Sequence, residues 1–173
     1  SGAPIFQDGF EGNSTAAWTS VSTGVTPVSG GSEGSRAVSY TISSTTWASM
    51  RKDLDRDYSE SWTSFTFRMD SNFTMPDGAW QFLTSMRDSN EQMPWYLRLT
   101  RSGSEYRLQM RNSNESVVLQ HGRWYKVRVH VLSEVNGVLE WWVDDALVGR
   151  TTGDFSATLS GKLYGIIMSG VAE

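Results

Sequence analysis

Residues 122–150 read GRWYKVRVHVLSEVNGVLEWWVDDALVGR. Val127, Val129 and Val131 alternate with Arg128 and His130. Beyond Asn136 and Gly137, Leu139, Trp141 and Val143 alternate with Glu140, Trp142 and Asp144. A two-residue period means that side chains point to opposite faces of an extended chain, one apolar and one polar. Asn-Gly between two such runs is the strongest short signal for a β-hairpin. The stretch therefore predicts two antiparallel strands with one buried and one solvated face. The solvated face carries Lys126, Arg128, His130, Glu140 and Trp142.

The same period recurs outward from this hairpin. Phe65, Phe67 and Met69 alternate with Thr66 and Arg68, and Trp95, Leu97 and Leu99 with Tyr96, Arg98 and Thr100. Tyr106, Leu108 and Met110 alternate with Arg107, Gln109 and Arg111. Over residues 78–88, Trp80, Phe82 and Met86 are expected in the core and Gln81, Ser85 and Arg87 outside, with Leu83 breaking the pattern. Further strands are expected at residues 4–11, 17–23, 26–30, 36–42, 46–54 and 162–170. No window shows the i, i+3, i+4, i+7 spacing of an amphipathic helix. About ten short strands separated by Gly and Asn turns predict an all-β, two-sheet antiparallel sandwich. No composition break marks a linker, so residues 1–173 read as a single domain.

Composition excludes several classes. There is no cysteine, which removes disulfides, thiol nucleophiles and cysteine-ligated zinc. The net charge of −4 argues against a nucleic-acid partner. No apolar run is long enough to cross a membrane as a helix, and the opening residues lack the pattern of a signal peptide.

The opening IFQDGFEGNSTAAWTS, residues 5–20, resembles the start of concanavalin A-like jelly-roll domains of the laminin-G-like and bacterial carbohydrate-binding kind. The hairpin at 122–150 is similar to their late hairpin, which also occurs in jelly-roll polysaccharide lyases. The resemblance spans both ends of the chain and implies a concanavalin A-like jelly roll. It is weaker for function, because this fold hosts lectins, binding modules, glycosidases and lyases. It also implies a structural calcium ion near Asp8 and Glu11, where related domains often hold one and where carboxylates would suit a hard cation. Such domains usually end with one more strand beside the first. Here the chain stops at IIMSGVAE, so a final strand is expected to be lacking or to come from another domain or chain.

Catalytic motifs are sparse. Residues 30–34, GGSEG, match G-x-S-x-G, but a strand pattern follows where a nucleophile elbow needs a helix. They read as a glycine turn. Asp53, Asp55 and Asp57 open like a calcium-binding loop but lack its glycine and terminal glutamate, and read as a charged turn. Glu140 and Asp144 share a face without the third acid that a glycosidase of this fold would show. The Q-I-H and Y-x-K-x-G-x-Y signatures of the lyases are also absent.

The outward residues carry the functional expectation. In a jelly roll the concave face of one sheet forms an open groove. Aromatic rings there stack on pyranoses, and planar polar side chains hydrogen-bond hydroxyls and carboxylates. Trp142, Tyr96, Arg98, Gln109, Arg128, His130 and Glu140 are expected to form such a groove, with the arginines favouring an anionic glycan. Three readings follow: a non-catalytic carbohydrate-binding module of an extracellular protein, a polysaccharide lyase acting on a uronate polymer, or an adhesion domain without a glycan. In the lyase reading Arg98 or Arg128 neutralises the uronate, His130 is the base and Tyr96 the acid. No reading requires a cofactor.

Overall fold

A computed structural model describes residues 3–32, 34–42 and 48–165. Among them there is no helix, and no segment is a helix long and apolar enough to cross a membrane. The strands are β1 (Ser20–Val21), β2 (Val25–Ser29), β3 (Arg36–Tyr40), β4 (Met50–Tyr58), β5 (Glu60–Arg68), β6 (Trp80–Arg87) and β7 (Trp95–Ser102). They continue with β8 (Glu105–Met110), β9 (Ser116–Leu119), β10 (Trp124–Leu132), β11 (Gly137–Val143), β12 (Ala146–Gly153) and β13 (Ser160–Gly165). A seven-stranded sheet has the order β1-β4-β13-β6-β7-β8-β9, a four-stranded sheet the order β12-β11-β10-β5, and β2 and β3 pair apart. All pairings are antiparallel.

The two larger sheets share one core. Val127, Val129, Val131, Leu139, Trp141 and Val143 enter it from the four-stranded sheet. Trp95, Leu97, Leu99, Tyr106, Leu108 and Met110 enter it from the seven-stranded sheet. The alternation read from the sequence therefore decides the buried face of β7, β8, β10 and β11. A second cluster of Val25, Ala48 and Met50, covered by Phe10, Trp18, Val21, Val38, Tyr40 and Ile42, forms around the small sheet.

Several local expectations are corrected. Residues 4–11 form no strand. The Asp8 carboxylate accepts the Phe10 N–H at 2.8 Å, and Phe10 and Asn13 have φ of 59° and 53°, so the chain turns there. Phe6 and Phe10 pack on Trp18 instead of joining a ladder. Asp53, Asp55 and Asp57 lie within β4, not in a turn. Strands β9 and β12 were not anticipated as separate elements. The strand expected at 162–170 is described only to Gly165, and the question of a final strand falls outside the described residues.

Turn chemistry also differs. The Asn136-Gly137 connection is not a two-residue turn, because Leu132 pairs with Val138 and neither Asn136 nor Gly137 has positive φ. Gly137 is needed for another reason. A Cβ there would lie 2.2 Å from the Leu132 carbonyl oxygen. The tight hairpin is the next one, where Val143 pairs with Ala146 across Asp144 and Asp145, at φ 50° and 67°. Both central residues left-handed is the signature of a type I′ turn. The Asp144 carboxylate holds it by accepting the Lys126 N–H at 3.0 Å and Arg123 Nη2 at 2.7 Å.

Leu83 marks a bulge. Phe82 pairs with Arg98 and Thr84 with Leu97, leaving one extra residue on β6. An extra residue reverses the facing of what precedes it. Trp80 and Phe82 consequently lie on the outward face with Arg98, while Gln81 pairs with buried Leu99.

Two stability outcomes are expected. Trp141, 1% exposed, should cost about 3–5 kcal/mol when changed to Ala, read from the denaturant midpoint. Asp145→Gly should instead stabilise by about 1 kcal/mol in the same assay, by relieving a left-handed non-glycine residue.

Candidate functional site

The sandwich divides the expected groove. Tyr96, Arg98 and Gln109 lie on the outward face of the seven-stranded sheet. Arg128, His130, Glu140 and Trp142 lie on the outward face of the four-stranded sheet. The shared core stands between the two groups. His130 therefore cannot meet a substrate held by Tyr96 and Arg98, and the lyase machinery of His130, Tyr96 and Arg98 or Arg128 does not assemble. The physical reason is that alternation specifies inside or outside, but not which sheet owns the outside.

The seven-stranded face is built by register. Tyr164 on β13 pairs with Arg51 on β4 and Ser85 on β6, and Ser85 pairs with Tyr96 on β7. A row thus crosses the sheet as Arg51, Tyr164, Ser85 and Tyr96. The next row is Asp53, Lys162 and Arg87. On the other side Phe82, Arg98, Gln109 and Ser116 form a third row. Phe82 meets the Tyr96 ring edge-on, at 4.9 Å and 87°.

Hydrogen bonds separate held from free groups. Gln109 Oε1 accepts from Arg98 Nε at 3.2 Å and Nη2 at 2.9 Å, and Gln109 Nε2 donates to the Ser113 carbonyl at 2.8 Å. Arg98 is thereby pinned by a neutral partner, with no carboxylate against it among the described residues. Arg111, just past β8, donates to the Met93 carbonyl at 2.9 Å and lies over the Tyr96 ring at 5.8 Å, also without a carboxylate. The Tyr96 hydroxyl has no protein partner among the described residues. Ser85 is 1% exposed and its Oγ has none either. On this face Arg51, Arg87, Arg107 and Lys162 are paired with Asp53, Glu91 and Glu105, whereas Arg98 and Arg111 have no carboxylate partner among the described residues.

Glu91 gathers one end of the face. It accepts from Lys162, from Arg87 Nη1 at 3.2 Å and from the Tyr164 hydroxyl at 3.1 Å. The Arg87 guanidinium also lies over the Tyr164 ring at 4.4 Å. The hydrogen bond that Lys162 donates to Glu91 holds Glu91 below the usual carboxylate range and Lys162 above the usual lysine range. Burial opposes a raised Arg51, but Asp53 and the Tyr164 hydroxyl outweigh it and raise that group.

The two expected calcium ligands are used by the protein. Asp8 Oδ1 accepts the Phe10 N–H and Oδ2 accepts Trp18 Nε1, both at 2.8 Å. Glu11 Oε2 accepts the Ser35 hydroxyl at 2.7 Å and Oε1 the Arg36 N–H at 3.1 Å. Asp8 Oδ1 caps the turn at Phe10, Asp8 Oδ2 anchors the Trp18 indole, and both Glu11 oxygens tie down the start of β3. No group of three or more His, Cys, Asp or Glu side chains that could hold a metal ion occurs among the described residues.

On the four-stranded face, Trp62 is the residue that sequence reading missed. It pairs with His130 and is 58% exposed, whereas Trp142 is half-buried beside Arg128. The run SWTSFTFR carried the signal, since Trp62 falls in phase with Thr66 rather than with Phe65 and Phe67. Lys162, Tyr164 and Arg51 were missed because β13 and β4 become neighbours only through a long-range pairing.

Sheet order, shared core and outward faces define a concanavalin A-like jelly roll. The endo-β-1,4-glucuronan lyase of the fungus Trichoderma reesei is similar over 88% of this chain and 80% of its own, with a TM-score of 0.63 and 14% identity. Alginate lyase Aly36B is similar over 86% of this chain and 72% of its own, with a TM-score of 0.60 and 10% identity. The globular domain of T. cruzi calreticulin is similar over 90% of this chain and 84% of its own, with a TM-score of 0.51 and 12% identity. No protein-family model and no curated protein matches the sequence. The fold is thus one that polysaccharide lyases use.

The Glu91 cluster has a pH consequence. The carboxylate contribution is present above the ordinary glutamate pKa and is lost as pH falls through the lowered value. The lysine contribution is present below its ordinary pKa and is lost as pH rises through the raised one. Glu91→Gln should lower the melting temperature at neutral pH by about 2 °C, a small effect for solvent-screened pairs. The gap to wild type should close as a thermal-melt series is taken down to about pH 3.

Proposed function

We propose that the chain binds an anionic polysaccharide, a uronate polymer, along the outward face of the seven-stranded sheet. One observation carries this reading. Tyr96, with its free hydroxyl, shares this face with two guanidiniums, Arg111 over its ring and Arg98 two residues along β7, that have no carboxylate partner among the described residues. A guanidinium without an internal counter-ion is a ready partner for a carboxylate, and its planar fork suits two-point recognition. Gln109 keeps Arg98 in one orientation, which reduces the ordering cost of binding. Trp80 and Phe82 next to Tyr96 give the face an aromatic side on which pyranose rings can stack. The glucuronan and alginate lyases of similar fold take uronate polymers as their names state, which supports the same ligand class here. A ligand of this kind supports a location outside the cell or at its surface.

A second reading, β-elimination on the same polymer, is favoured by the Tyr164, Ser85, Tyr96 row. It puts two phenols and an unpartnered hydroxyl on one line beside Arg51. Elimination needs a neutralised carboxylate, a base and an acid. Arg98 or Arg51 would serve the first role, and the two phenols the others.

Calorimetric titration with polyglucuronate and with alginate tests the first reading. Arg98→Ala should weaken binding about tenfold or more, as expected for a lost charge-assisted pair. Added salt should weaken wild-type binding in the same direction. Absence of binding to either polymer at low salt would remove the proposal. For the second reading, wild type should generate the ultraviolet absorbance of an unsaturated sugar. Tyr164→Phe should abolish that signal while retaining binding, because acid–base groups act mainly on the transition state.

A further inference from the structure

The outward face of the four-stranded sheet holds an arrangement that the uronate reading does not use. The Trp62 ring stacks on the His130 imidazole, with centroids 4.0 Å apart and planes 12° apart. The imidazole beneath is gripped at both edges. Its Nε2 lies 2.9 Å from Glu60 Oε1 and its Nδ1 lies 3.1 Å from Glu140 Oε2. Glu140 also forms an ion pair with Arg150, whose Nη1 lies 3.1 Å from Glu140 Oε1. His130 is only 8% exposed, although it points away from the core, because these groups cover it. Trp62 therefore has one ring face seated on an immobilised base and stays largely open to solvent. Trp142 stands beside it at 5.8 Å and 23°. The Arg128 guanidinium lies 4.6 Å from the Trp142 ring and 5.8 Å from the Trp62 ring. Arg128 has no hydrogen-bond or carboxylate partner among the described residues, and its Nε is buried without an acceptor.

An indole held flat by a ring beneath it, with its other face open, presents the apolar surface on which a pyranose can stack. We infer that Trp62 is the stacking platform of a second carbohydrate site, for an uncharged pyranose, on the sheet opposite the uronate face. The ring would lie on Trp62, with Arg128 donating to its hydroxyls and Glu60 accepting from them. Charge is balanced at this platform. Arg128 and Arg150 stand against Glu60 and Glu140, so a carboxylated ring drawn to Arg128 would also meet the Glu60 carboxylate, which is 54% exposed, whereas a neutral ring meets no such conflict. Size selects a sugar over a protein. Of the exposed large hydrophobic residues, only Trp62 and Leu147 lie on the strands of this sheet. One indole and one leucine fall far short of the roughly 800 Å² per partner of a stable protein interface. The inference is independent of the uronate reading, since the two faces are separated by the core.

The test is titration of the full chain with cellohexaose and with mannohexaose, followed by tryptophan fluorescence and by calorimetry. At least one hexasaccharide should bind in the millimolar range or tighter. Trp62→Ala should weaken that binding about tenfold, Trp62→Leu should do the same, and Trp62→Tyr should restore most of it, because a flat ring is what the sugar needs. Trp62→Leu keeps an apolar cover over His130, so the comparison with Trp62→Tyr stands even where Trp62→Ala lowers stability. Arg98→Ala should leave hexasaccharide binding unchanged, and Trp62→Leu should leave polyglucuronate titrations unchanged. Failure of folded wild type to bind either hexasaccharide, or equal binding by Trp62→Leu and wild type, overturns the inference without touching the uronate reading.

Discussion

Trp95 and Trp141, one from each large sheet, are 0% and 1% exposed and belong to the same core. Two sheets that bury such side chains against each other have no freedom in which face they turn inward. Strand alternation then sends every other residue outward, so Tyr96 and Arg98 on β7 leave the sandwich on one side, and Arg128, His130 and Trp142 on the other. The polar surface of this protein is the by-product of that packing. Its two outward faces can be loaded with different chemistry because the core separates them.

The two faces use charge differently. On the seven-stranded sheet, Arg98 is oriented by an amide rather than by an acid. That keeps its charge available, whereas a carboxylate would have neutralised it. On the four-stranded sheet, acids and bases are interleaved. Glu140 is shared by His130 and Arg150, and Glu60 holds the other edge of His130. These contacts use polar groups to hold an aromatic ring in place. The first arrangement suits an anion, the second a neutral ring.

Bulges and close approaches make both faces. The extra residue at Leu83 swings Trp80 and Phe82 outward beside Arg98 and Tyr96. A register shift between Trp141 and Trp142 sets Trp141 against Gly149, where a Cβ would lie 2.7 Å from the indole Nε1. Glycine there lets the buried indole approach the neighbouring strand. The next residue, Trp142, then faces out beside Leu147.

Alternation in the chain was enough to establish an antiparallel sandwich and the buried faces of β7, β8, β10 and β11, because a period of two is a local property of each strand. Local chemistry also marked Tyr96, Arg98 and Gln109 as outward, and Arg128, His130, Glu140 and Trp142 likewise. Which of them are neighbours was not local information. It depends on sheet order, set by pairings such as β13 with β4 and β6, where Tyr164 meets Arg51 and Ser85. The facing of Trp80 and Phe82 depends on a bulge whose trace in the sequence is one misplaced leucine. The exposure of Trp62 and the burial of His130 arise from one ring lying on another across two strands. Residue types and their faces are thus written along the chain, while adjacency, and with it the division into two outward faces, is created only when distant strands pair around the common core.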